Sequence, residues 1–228
     1  MKHYTYFIIL FLTLLYPLLR SFEDKVQFNK KWKHLFPAIL IAAIIFIAGD
    51  VWFVNKGIWW FNPDYITGIK IINLPIEECL FFIIIPFSSL FIYEVLNHFI
   101  KKNILQKSSK TTTLFLSITL IILAIIFRDR FYTLIVFVSL SAFLLLHQFI
   151  IKSIYLPRFY LLWAVLIFPF LIFDEIVTGL PITIYNNAQT MQLRILYFPL
   201  EDLLYGVLQI LLIITLYETF RKKKKQEN

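Results

Sequence analysis

Five polar residues and a proline recur in this 228-residue chain at one fixed offset. Asp50, Asn62, Pro75, Glu77, Tyr93 and Glu94 return 124 positions later as Asp174, Asn186, Pro199, Glu201, Tyr217 and Glu218. Lys70 with Arg194, and Glu78 with Asp202, match by charge at the same offset. In a chain that is 60% hydrophobic, coincidences of Leu and Ile carry little weight. Acidic residues in apolar stretches are costly, so their recurrence points to a site as well as to a repeated fold. Carboxyl groups that converge in a partly dry space cannot all ionise, because burial and like charge both favour the neutral acid. At least one then holds a proton near neutral pH beside another that can accept one, which is the basis of general acid–base chemistry.

The elements that position these residues are membrane spans. A mean hydropathy of +0.77 with 16% charged residues describes an integral membrane protein. The net charge of +8 does not indicate nucleic-acid binding, since the basic residues lie between and after apolar runs, where they act as topology signals. A single cysteine, Cys79, allows no intrachain disulfide and no paired-Cys zinc site, and reads as apolar filler. No glycine-rich nucleotide loop is present, so no cofactor is expected. No lysine falls in the middle of a span, which argues against a retinal Schiff base. The four histidines, His3, His34, His98 and His147, are scattered, which argues against a histidine-rich di-iron oxidase.

A hydrocarbon core about 30 Å thick asks for about 20 apolar residues per helix. Seven segments qualify: 4 to 19, 35 to 54, 76 to 97, 112 to 127, 131 to 150, 158 to 177 and 200 to 220. The fourth is the shortest, and six spans is the alternative count. The first lacks a small-residue cleavage pattern and reads as a retained span rather than a signal peptide. With seven spans, 16 of the 22 Lys and Arg residues fall on one side, which places the C-terminus in the cytoplasm and the N-terminus outside. The expected fold is all-α and polytopic, with two parallel three-helix repeats joined by a linker helix. The expected division is residues 1–100 for the first repeat, 101–130 for a linker with the fourth span, 131–220 for the second repeat, and 221–228 for a basic tail.

In both copies proline is expected in a helix's first turn, with Glu77 or Glu201 two residues on, among free N–H groups at the positive end of the dipole. A simple helix cap is one reading. The pairing of the acids and their recurrence favour a site, with Asp50 and Asp174 in the same outer leaflet. Adjacent helical residues point about 100° apart, so Glu77 and Glu201 are expected to face the cavity, and Glu78 and Asp202 either to orient them or to bind the neighbouring helix. Glu94 and Glu218, about 25 Å further along their helices, read as structural ion pairs beside basic segments. Trp59, Trp60, Phe81, Phe82 and Tyr205 form either an interfacial aromatic belt or a π-lined pocket suited to a polyene and to a carbocation.

The motifs Asn73-Leu74-Pro75-Ile76-Glu77-Glu78 and Tyr197-Phe198-Pro199-Leu200-Glu201-Asp202, followed at equal distance by Tyr93-Glu94 and Tyr217-Glu218, resemble the heterodimer-type lycopene cyclases in their fused, tandem-repeat form. The resemblance covers nearly all of the chain. It implies a non-redox closure of a carotenoid's linear ψ-end to an ionone ring, with Glu77 and Glu201 as acid and base, Asp50 and Asp174 as their partners, and no flavin. It implies a linear carotenoid such as lycopene and the lipid bilayer as partners, other carotenoid-pathway enzymes as further candidates, and a cell inner or cytoplasmic membrane as location. A small proton-coupled transporter and a non-catalytic carotenoid or lipid binder are the alternatives that repeats and intramembrane acids leave open.

Overall fold

The computed structural model describes residues 2–227, with side chains through Lys222; the rest of the basic tail's side chains lie outside the described residues. Helices dominate: α1 (Thr5–Arg20), α2 (Trp32–Asn55), α3 (Ile76–Phe99), α4 (Ser109–Ile126), α5 (Phe131–Leu145), α6 (Leu156–Gly179) and α7 (Leu200–Glu227). A single π-helical turn, Leu146–Ile151, extends α5. Seven helices are long and apolar enough to cross a membrane, which favours seven spans over six. The fourth, the least secure in sequence, reaches 18 residues because Ser109–Thr111 join its start.

Burial runs the opposite way from that of a water-soluble protein. Ile44, Phe115, Ile125 and Phe168 are exposed, while Asp50, Glu77, Glu94, Glu201 and Glu218 are buried. Lipid tails solvate apolar side chains as well as a core does, whereas acids must find their partners inside.

The chain divides into two compact units. The first holds Met1–Lys101, Pro181–Ile184 and Gln209–Asn228, and the second Lys102–Leu180 and Tyr185–Leu208. In the first unit α3 packs on both α1 and α2. In the second, α4 and α5 form an antiparallel pair, and α4 also meets α6. Small hydroxyl side chains hold these contacts: Ser141 donates to the Ser117 carbonyl at 3.1 Å, and the Thr113 and Tyr160 hydroxyls lie 2.6 Å apart.

Six short strands, which no alternating pattern announces, complete the fold. β1 (Trp59–Phe61) pairs with β4 (Thr183–Tyr185). β2 (Lys70–Ile71) pairs with β3 (Leu74–Pro75), with Lys70 opposite Pro75. β5 (Arg194–Ile195) pairs with β6 (Phe198–Pro199), with Arg194 opposite Pro199. The two latter hairpins correspond strand for strand at the 124-residue offset. Both prolines therefore stand one residue before their helices, correcting the expectation that they occupy the first turn. Pro75 has φ −59° and ψ 148°, an extended conformation that its ring accepts and that ends the ladder.

Each hairpin turns through two residues, the first at positive φ: Ile72 at 59° and Leu196 at 54°. Glycine is the usual residue there, and a branched side chain at that φ is strained. The same strain at the same place in both units marks the hairpins as built for position rather than for ease of folding.

Of the glycines, Gly206 on α7 is the one approached most closely. A β-carbon there would lie 2.5 Å from Phe170 Cε2 and 3.3 Å from Trp163. Gly206→Ala is expected to lower unfolding stability by about 1–3 kcal/mol through overpacking. Thermal unfolding in detergent checks this; an unchanged midpoint would show that the Phe170 ring yields freely.

Candidate functional site

The site is built twice, once in each unit, from a loop, a hairpin and a helix start. In the first unit Asn62 Oδ1 accepts from the Asp64 amide at 3.0 Å and opens a 3₁₀ turn, Pro63–Tyr65. In the second, Asn186 Oδ1 accepts from the Ala188 amide at 3.0 Å and opens the turn Asn187–Gln189. This accounts for the repeated asparagine: its short amide side chain bonds the backbone two residues on. The hairpins follow, and the first helical amide closes them, Ile76 N–H to Ile69 O at 2.8 Å and Leu200 N–H to Leu193 O at 2.9 Å.

This folding brings a loop amide onto the first acid of each motif. Thr67 N–H donates to Glu77 Oε1 at 2.7 Å, and Met191 N–H to Glu201 Oε1, also at 2.7 Å. Glu77 and Glu201 are both fully buried. The other oxygen of each, Oε2, is enclosed and has no hydrogen-bond partner among the described residues. A helix cap would turn its oxygens to the helix's own amides; these glutamates instead present one anchored and one unused oxygen.

The second acid of each motif is held by a tyrosine from the first helix of its repeat. Tyr6 donates to Glu78 Oε2 at 2.8 Å, and Tyr132 to Asp202 Oδ1 at 2.7 Å. Thr133 donates to Glu201 Oε1. Sequence reasoning missed these three residues. The tyrosines are 126 apart rather than 124, so a search at one fixed offset passes over them. Thr133 has no counterpart to match, and backbone amides leave no mark in a sequence.

Asp50 is buried on α2, and Asp174 is half-buried on α6 with its Oδ2 enclosed. The residue after each is tied to the hairpin turn. Asn73 Nδ2 donates to the Val51 carbonyl at 2.9 Å and to Asn55 Oδ1 at 3.0 Å, while the Tyr197 amide donates to Glu175 Oε2 at 3.3 Å. The same two positions are joined in each unit by different chemistry.

The structure splits the tryptophan pair: Trp59 is buried against Phe53, with ring centroids 5.2 Å apart, while Trp60 is 48% exposed. Phe82 is buried between Phe46 and Phe81, at 5.9 and 5.2 Å. Tyr205 meets the Tyr132 ring edge-on at 6.2 Å, next to the phenol that holds Asp202.

Glu94 and Glu218 lie apart from these motifs and are paired. Arg221 bridges them, at 3.3 Å to Glu94 and 3.0 Å to Glu218, and Lys31 also bonds Glu94. The tyrosines cross over: Tyr93 donates to Glu218 at 2.8 Å and Tyr217 to Glu94 at 3.1 Å.

A family model described as lycopene cyclase matches residues 3–96 and again 129–220. The chain belongs to the lycopene cyclase family. The two matched stretches each contain one complete Pro-x-Glu-acid motif with its tyrosine, so the family's unit occurs twice in this lycopene cyclase family member. No curated protein and no solved structure matches the chain.

Tyr6→Phe and Tyr132→Phe keep each ring and remove one donor from a buried acid. Each is expected to cost about 1–3 kcal/mol of stability, read as a lower unfolding midpoint in detergent. A midpoint equal to wild type would mean that the phenols do not secure the second acids.

Proposed function

We propose that this chain is a carotenoid cyclase that closes the linear ψ-end of lycopene, or of a related carotene, to an ionone ring by proton transfer within the membrane. The observation that carries this reading is the buried glutamate in each family repeat, with Oε1 tethered to a loop amide and Oε2 left unpartnered. An oxygen held in a dry site without a partner is suited to exchange a proton with a group that offers no hydrogen bond of its own, such as a carbon–carbon double bond.

The step balances without a redox partner. A carboxylic acid gives its proton to the terminal double bond, leaving a tertiary cation. The internal double bond attacks that cation, forming the ring's carbon–carbon bond and moving the charge to a ring carbon. A carboxylate removes a proton from a neighbouring carbon, and the ring double bond forms. Substrate and product are isomers, and the two carboxyl groups exchange protons with their surroundings before the next turnover. Glu77 in the first unit and Glu201 in the second are the carboxyl groups that exchange protons with the substrate. Glu78 and Asp202, held by Tyr6 and Tyr132, fix the helix starts, and Asp50 and Asp174 line the adjoining helices. Trp59, Phe81 and Phe82 within the first unit, and Tyr205 within the second, supply aromatic surface to a polyene and to the cation.

The reading extends to topology. The N-terminus lies outside and the C-terminus in the cytoplasm, where the basic segments gather. A C-terminal alkaline phosphatase fusion is then inactive while a fluorescent-protein fusion is bright; the reverse pattern would invert the topology.

Expression in cells that accumulate lycopene is expected to yield γ- or β-carotene, or an ε-ring product, resolved by chromatography and absorption. Glu77→Gln and Glu201→Gln are expected to abolish ring formation, by about 100-fold or more, with the protein still inserted. Unchanged lycopene with the wild-type chain in the membrane, where a known cyclase works, would reject the reaction on this substrate. Full activity in either Gln variant would reject that glutamate's part in it.

A further inference from the structure

Beside Glu77 the first unit holds a second enclosed oxygen with no hydrogen-bond partner. Thr67 gives its amide to Glu77 Oε1 at 2.7 Å, but its own hydroxyl, Oγ1, is enclosed and bonds none of the described residues, as is true of Glu77 Oε2. The two unpaired atoms therefore flank one short hydrogen bond, and both belong to the first unit. The second unit is built differently. The position matching Thr67 at the 124-residue offset is Met191, which carries no hydroxyl. There the Thr190 hydroxyl accepts from the Gln192 amide at 3.3 Å, and that of Thr133 donates to Glu201 Oε1. Thr67 also marks a step in exposure: Ile66 before it is buried, Thr67 is half-buried, and Gly68, Ile69 and Lys70 after it are exposed.

A buried polar atom without a partner is costly and rare, and an internal water that bonds two or more such atoms is the usual remedy. A hydroxyl both donates and accepts. A carboxyl oxygen accepts from water or, as an acid, donates to it, so the pairing holds for either form of the carboxyl. We propose that the first unit binds an ordered water between Thr67 Oγ1 and Glu77 Oε2, and that this water and the Thr67 hydroxyl carry protons between Glu77 and the exposed loop. Between turnovers the water is the partner of Oε2; a polyene end that reaches the glutamate takes its place. The proton-carrying part rests on the cyclase reading, which requires Glu77 to recover its starting state after each proton exchange. The water site itself does not rest on it. Each proton that the water receives on one side it releases on the other, so no further reactant is consumed.

The test compares wild type with Thr67→Val, which keeps the shape of Thr and removes the hydroxyl, and with the pair Thr67→Ser and Thr67→Ala, which differ from each other by the hydroxyl alone. Thermal midpoints in detergent are read first. A hydroxyl bonded to water makes Val less stable than wild type, and Ala less stable than Ser, by about 2–4 °C. A hydroxyl with no partner gives the opposite sign, because an apolar group in its place removes a desolvation cost. Turnover of lycopene in membranes is then measured in H2O and in D2O. Val and Ala are expected to turn over about tenfold more slowly and to show a larger solvent isotope effect, because proton recovery becomes the slow step. Ser is expected to stay near wild type in both. The Ser and Ala pair carries both readings if the Val variant does not accumulate. Equal or raised midpoints without the hydroxyl would overturn the water site, and an unchanged solvent isotope effect would overturn its part in proton exchange. A wild-type chain that leaves lycopene unchanged defeats the cyclase reading and the proton exchange with it, while the midpoints still decide the water site.

Discussion

The constraint on which this structure depends is the cost of a carboxyl group in an apolar surrounding. Each buried acid must be met by a donor, and in lipid that donor can come only from the protein. The loops before α3 and α7 answer this requirement. They turn back at Asn62 and Asn186, cross positive-φ positions at Gly68 and Gln192, and bring the Thr67 and Met191 amides onto Glu77 and Glu201. The strained turn residues Ile72 and Leu196 follow from the same need, since the hairpins must end where the helix starts present their acids.

Because one oxygen of each glutamate is fixed by backbone, the orientation of the other is set by the fold rather than by a mobile side chain. Preorganisation of this kind is how a site stabilises charge that develops during a reaction without reorganising at that moment. The phenols of Tyr6 and Tyr132 add a second constraint by joining the first helix of each repeat to the acid beside the glutamate. The first helix of each repeat is thereby tied to the acidic start of its third.

Much of this was legible in the sequence, for reasons that mark its limits. The seven spans were readable because hydropathy responds directly to the bilayer, and the motif acids because charge is rare there. The repeated Asn62 and Asn186, and Lys70 and Arg194, were visible as coincidences, but their use in turns and hairpins was not. Strands of two or three residues have no room for an alternating pattern. Tyr6 and Tyr132 escaped because the segments leading to the two motifs differ by two residues in length. Thr133 escaped because a feature present in one copy leaves no repeat to detect. Trp59 and Trp60 looked equivalent, yet successive strand residues face opposite ways, and only Trp59 is buried.

The crossed pairs at the far end of α3 carry a different implication. Tyr93 bonds Glu218 while Tyr217 bonds Glu94, so each helix offers a donor and an acceptor that its own sequence leaves unmatched and its copy completes. Such reciprocity is the signature of an isologous contact between identical partners. In the present chain both halves of the contact lie in one polypeptide, so a change at Tyr93 or Glu218 removes one bond and leaves that of Tyr217 to Glu94 in place.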